Sequence, residues 1–151
     1  MFVFIVHNIY SNVKLNEVID VYLSFPIVDL LVISKASSAA AQTGVPEAEK
    51  RAYLKGRRIL YLPDLTDVKD ILKLDKLYLI VPNKIPSTPL DFGRLAEEIK
   101  SIRVGIAVSA GDSTFTAREL ELGEPVNIGI NEILPPAAYA GIILYSVTSR
   151  T

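Results

Sequence analysis

The chain has 151 residues, half of them apolar and 22% charged, with a formal net charge of −1. That length suits one folding domain with a buried core, and that composition excludes a disordered chain. There is no Cys and one His, so disulfides, thiolate chemistry and a His-cluster metal site are excluded, and a near-neutral charge leaves any nucleic-acid contact to a local patch.

Phe2 to Asn8 reads as a strand buried on both faces. Asn12 offers an N-cap, and Leu15, Val18, Ile19 and Tyr22 follow at helical spacing until Pro26 ends the helix. Val28 to Ser34 is a second buried strand. Lys35 to Gly56 begins with small and polar residues, among them Ser37, Ser38, Gln42 and Thr43. It continues as a helix opened by Pro46 and closed by Gly56. Arg58 to Leu62 is a short strand, Asp67 to Leu72 a short helix and Leu77 to Val81 another strand.

Thr88 is expected to cap the next helix, with Pro89 in its first turn and Phe92, Leu95, Ala96 and Ile99 on one apolar face. Val104 to Val108 is a strand, and Thr116 to Glu119 has capping-box spacing. Val126 to Ile130 is the last strand. Pro135-Pro136 starts a final helix with Ala137, Ala140, Gly141 and Leu144 on one side. The alternation predicts an α/β domain over residues 1–151, with a mainly parallel sheet covered by helices on both faces. Ligands of such sheets sit beyond the carboxyl ends of the strands. With no signal peptide and no apolar run long enough to span a bilayer, the expected compartment is the cytosol.

Three segments near the C-terminus carry a family likeness. Val108 to Thr116 reads VSAGDSTFT, Ile128-Gly129-Ile130 closes a strand, and Ala140 to Tyr145 reads AGIILY. In this order they resemble the motifs of the SPOUT (SpoU/TrmH-like) RNA methyltransferases, with Phe115 at the apolar anchor and Thr116 at the capping hydroxyl. The resemblance implies a C-terminal trefoil knot, a homodimer, and S-adenosylmethionine held by Val108, Ser109, Ala110, Gly111, Ile128, Gly129, Ile130 and Leu134. It also implies methyl transfer to an RNA ribose 2′-oxygen, with no metal. The chain departs from the family at several places. The usual Glu is Gly111, with Asp112 beside it, and the usual Ser, Asn and second Ser fall on Ile133, Pro135 and Ala137. An Arg expected in the first helix is absent. The alternative is a catalytically silent SPOUT-fold protein that binds RNA or cofactor. A Rossmann-like domain ranks last, because no G-x-G-x-x-G or P-loop is present.

Other residues keep two readings. Ser109 to Asp112 is either a pocket lining or an ordinary surface turn. Lys50, Arg51, Lys55, Arg57 and Arg58, with Tyr53 among them, are either an RNA-binding patch or a solvated helix face. His7 is either an acid–base group or a hydrogen-bonded structural residue. Tyr139 and Tyr145 suit core or dimer packing. The sequence names no catalytic residue.

Overall fold

A computed structural model describes residues 1–151. The elements in chain order are β1 (Phe2–Ile9), α1 (Asn12–Ser24), β2 (Leu30–Ala36), a π-helical turn (Ala40–Gly44), α2 (Val45–Leu54), β3 (Ile59–Leu62) and α3 (Leu65–Leu72). They continue with β4 (Lys76–Ile80), β5 (Thr88–Pro89), α4 (Phe92–Ser101), β6 (Val104–Ser109), α5 (Ala117–Leu120), β7 (Glu124–Asn127) and α6 (Pro136–Thr148). The seven strands form one sheet in the order β3-β2-β1-β6-β4-β7-β5. Every pairing is parallel.

β1 lies inside the sheet, and its run from Phe2 to Val6 is buried because helices cover both faces. Phe2, Phe4 and Val6 face α1, α2, α4 and α6. Val3 and Ile5 face the other way, onto Leu65 and Val68 of α3 and onto Phe115. The α/β class and the helix-covered parallel sheet are as the sequence predicts. No helix is long and apolar enough to cross a membrane.

The structure moves several boundaries. Ser11, not Asn12, caps α1, its Oγ accepting the Lys14 N–H at 3.2 Å. Helix α3 starts two residues before the predicted Asp67, because Asp64 accepts the Leu65 N–H at 2.7 Å. Thr88 and Pro89 do not open a helix. They pair with Val126 and Asn127 as a short edge strand, where Pro is tolerated. Asp91 caps α4 instead, through the Arg94 N–H at 3.0 Å. The last strand stops at Asn127, whose side chain accepts the Gly129 N–H at 3.0 Å. Gly129 sits at φ 81°, a left-handed turn that takes Ile128–Ile130 out of the sheet.

Candidate active site

Three neighbouring strands end in a row of polar side chains. Parallel register sets His7 of β1 beside Ser34 of β2 and Ser109 of β6. All three are buried. The next residues, Asn8 and Lys35, both take left-handed backbone at φ 62° and 54°, and pairing resumes only at Ile9 and Ala36. Left-handed backbone costs a non-Gly residue about 1 kcal/mol or more, and such strain collects at functional sites.

His7 is held on three sides. Its Nδ1 lies 2.8 Å from Ser34 Oγ. Its Nε2 bonds Glu119 Oε2. Phe115 stacks on the ring, with centroids 5.8 Å apart and planes at 21°. Glu119 reaches this position because the capping box of α5 fixes it: Thr116 N–H donates to Glu119 Oε1 at 2.9 Å, and Glu119 N–H donates to Thr116 Oγ1 at 3.2 Å. Asp64, the cap of α3, completes a cluster. One ligand atom each from His7, Asp64 and Glu119 lies within 4.8 Å of the others.

Burial pushes the His7 imidazole below its ordinary value, against the opposing pull of Glu119 and Asp64. Burial acts to raise the Glu119 carboxyl, but the Thr116 N–H and His7 outweigh it and hold the group below its ordinary value. At neutral pH the pair is therefore a neutral ring and a carboxylate. The ring proton belongs on Nε2, facing Glu119, and the Ser34 hydroxyl donates to Nδ1. A carboxylate braced by an oriented imidazole can accept a proton from water and return it.

The expected cofactor residues are only partly gathered. A cleft of about 230 Å³ is lined by Lys14, Ala110, Gly111, Asp112 and the Ile133–Pro136 turn, which includes Leu134. Ser109 is buried and donates to the Ser113 carbonyl at 2.9 Å, and Val108 is in the core. Ile128, Gly129 and Ile130 do not line the cleft. Ile128 packs on the core, and the Ile130 carbonyl accepts Asn83 N–H at 2.8 Å. Asp112 lies beside the exposed Tyr10, and its hydrogen bond raises the phenol above its ordinary value.

The basic segment lies at the opposite end of the sheet, where β3 begins. Arg57 is occupied structurally. Its guanidinium donates to the carbonyls of Leu23, Phe25 and Val28 and stacks 4.2 Å over the Tyr22 ring. Arg51 pairs with Asp20. Lys50, Lys55 and Arg58 are exposed and make no ion pair. Ser37, Ser38, Gln42 and Thr43 are exposed beyond β2. Tyr139 is in the core and Tyr145 is exposed.

Sequence reasoning missed Asp64 and Ser34 and saw Glu119 only as a cap. A signal for Asp64 was available: Asp three residues before Asp67 has the spacing of a helix start.

The fold is that of the SpoU-type methyltransferases. The chain superposes on the AdoMet complex of the SpoU methyltransferase AviRb from Streptomyces viridochromogenes with a TM-score of 0.73. That match covers 98% of this chain and 59% of AviRb, at 12% identity. The sequence relationship is different. Residues 38–146 match the family model described as RecB-family nuclease (DUF2122), and the chain belongs to that family. Two relatives carry the name "Putative type II restriction enzyme". MjaORF1200P of Methanocaldococcus jannaschii is 34% identical, with 95% of this chain and 94% of the relative covered. ApeKORF2002P of Aeropyrum pernix is 31% identical, with 93% and 88% covered.

These matches overturn the expected activity. Neither S-adenosylmethionine-dependent methyl transfer to RNA nor its silent-relative alternative describes a chain whose family and full-length relatives are named as nucleases. The residues explain how the motif likeness misled about activity while giving the fold correctly. Backbone turns and small side chains carry the likeness, whereas the polar groups of the methyltransferase motif are replaced by Ile133, Pro135 and Ala137.

Proposed function

We propose that this chain hydrolyses phosphodiester bonds in nucleic acid, with His7 and Glu119 as the proton-handling pair. The observation that carries this reading is the buried imidazole, fixed by Ser34 on one nitrogen and by Glu119 on the other, at the ligand-binding edge of a parallel sheet. Membership of a family described as a nuclease supports it. In the proposed step, a water oxygen attacks phosphorus and the bond to the leaving oxygen breaks. The water proton passes to Glu119, backed by His7, and is then delivered to the leaving oxygen.

The test is incubation of the full chain with supercoiled plasmid, linear duplex DNA, and single-stranded DNA and RNA, in magnesium and in manganese buffers. The expected result is cleavage of at least one substrate, falling by about 100-fold or more in Glu119→Gln and His7→Asn. No cleavage of any substrate, or undiminished cleavage by both variants, overturns the reading.

Two partner expectations join this proposal. Lys50, Lys55 and Arg58 are the available phosphate contacts of the basic segment, with the exposed Tyr53 as a stacking surface. A homodimer is the assembly that the fold likeness suggests, and Ile142 and Tyr145 on α6 are exposed apolar groups suited to it.

The cleft at Ala110–Asp112 favours a second, separate reading, as a site for a nucleoside-bearing ligand. S-adenosylmethionine is the probe, because AviRb was solved with it. A cleft of about 230 Å³ is smaller than most ligand pockets, so it would enclose a ring and leave the rest in solvent. Isothermal titration with S-adenosylmethionine decides this reading: saturable heat supports it and none removes it. No methyl transfer is implied.

A further inference from the structure

We propose that His7, Asp64 and Glu119 bind one divalent transition-metal ion. The site is argued from donor geometry and goes beyond the phosphodiesterase reading, since it holds whether or not the chain cleaves nucleic acid. A lone His excludes a site built from several histidines, but not one in which a single ring meets carboxylates from other elements.

Three observations carry the inference. The first is convergence. The donor atoms of one imidazole and two carboxylates, from β1, the start of α3 and α5, lie within 4.8 Å of one another. Donors at about 2.1 Å from one tetrahedral ion stand about 3.4 Å apart, so closing the site takes a rotation of the exposed Asp64 and a parting of His7 Nε2 from Glu119 Oε2, which touch directly.

The second is how each ligand is held from behind. Ser34 holds His7 Nδ1, the Thr116 N–H holds Glu119 Oε1, and the Leu65 N–H holds Asp64 Oδ1. Outer hydrogen bonds of this kind orient metal ligands. His7 Nε2 and Glu119 Oε2 bond each other where the three side chains meet, so a bound ion takes the place of the proton between them.

The third is charge. Two carboxylates share the space, and neither pairs with a Lys or Arg. Glu119 has only His7, and Asp64 has no ion pair. Like charges this close repel, and a bound cation removes the repulsion. One imidazole nitrogen with two carboxylate oxygens suits Mn²⁺, Co²⁺, Fe²⁺ or Zn²⁺. Three protein ligands leave open positions for water, the arrangement of catalytic rather than structural sites.

Binding has a proton consequence. The ion needs the Nε2 lone pair, so the ring must carry its proton on Nδ1. Ser34 then changes from donor to acceptor, which a hydroxyl can do and an alanine cannot.

The test is titration of the full chain with Co²⁺, followed by visible absorption, and with Mn²⁺ and Zn²⁺ by calorimetry. Asp64→Asn and Glu119→Gln are the comparison variants, because Asn and Gln preserve the two caps. The expected result is one ion per chain, bound more weakly by about tenfold or more in each variant, with metal-free thermal midpoints within about 2 °C of the parent. Absence of saturable binding by the parent, or undiminished binding by both variants, overturns the proposal. Binding without cleavage leaves the ion site standing and removes the phosphodiesterase. Cleavage that survives chelation, by a chain that binds no ion, does the reverse.

Discussion

His7 Nδ1 and Ser34 Oγ stand 2.8 Å apart across two neighbouring parallel strands, a buried contact set by register. Ser34→Ala leaves a ring nitrogen without a partner where water is excluded. The expected cost is about 1 kcal/mol, seen as a lower thermal midpoint. Nitrogen-15 spectra of the ring should show a changed tautomer balance. An unaltered midpoint and spectrum would mean that Ser34 does not orient His7.

Thr116 acts on the same ring from a distance, through Glu119. Thr116→Ala removes the hydroxyl that accepts Glu119 N–H and is expected to cost about 1 kcal/mol, whereas Thr116→Ser should recover most of it. The Ala variant should also bind Co²⁺ more weakly than the Ser variant. Equal metal binding by the two would separate the cap from the site.

The pH dependence of metal-free stability follows from the directions of the shifts. The His7 and Glu119 values lie below 6.5 and 4.5 in the folded chain, so the unfolded chain binds more protons in those windows. Stability is fully present above the unfolded values and lost as pH falls through the folded ones. Tyr78 is raised above 10.0, first by burial and then by its hydrogen bond to Glu98, 2.6 Å away. Its contribution is present below pH 10 and declines as pH rises beyond it. Thermal midpoints across pH should show a shallower acid limb in Glu119→Gln and a shallower alkaline limb in Tyr78→Phe. Superimposable curves for parent and variants would refute both assignments.

Two glycines should respond in opposite directions. A Cβ on Gly123 would lie 2.3 Å from the Leu77 carbonyl oxygen, which is backbone and cannot step aside. Gly123→Ala is expected to cost about 2 kcal/mol. A Cβ on Gly141 of α6 meets nothing within 4 Å, so Gly141→Ala should stabilise the single chain by about 0.5–1 kcal/mol through helix propensity. Sedimentation of this variant also tests assembly. If α6 packs closely against a second copy, the added methyl should weaken the dimer.

Arg57 and Arg58 are adjacent but should behave differently. Arg57→Ala removes three hydrogen bonds to backbone carbonyls and the stack on Tyr22, for an expected loss of about 2–3 kcal/mol. Arg58→Ala and Lys55→Ala should leave the midpoint alone and weaken oligonucleotide binding in a salt-dependent way. Nucleic-acid affinity unchanged in both would remove the basic segment from the substrate path.

The architecture was legible because helical and extended periods alternate cleanly and because Phe2–Val6 and Val104–Val108 have no polar side for water. The capping box at Thr116–Glu119 was also legible, being local. The site was not, since its members are far apart in the chain. Residues 7, 34, 64 and 119 meet only through strand order and register, which no window of sequence reports. Element ends moved where a side chain competed for the same backbone: Asp91 displaced Thr88 as a cap, and Asn127 bent the chain at Gly129. The family likeness ran through backbone shape, and shape is shared by proteins with different chemistry.

Glu119 spends one carboxylate oxygen on the turn that carries it and the other on the imidazole. Selection for a well-folded chain would therefore preserve this glutamate even in a descendant that had abandoned every reaction. Its retention among relatives is weak testimony of chemistry, whereas loss of the solvent-facing Asp64 alongside an intact Glu119 would mark lineages that kept the shape and gave up the work.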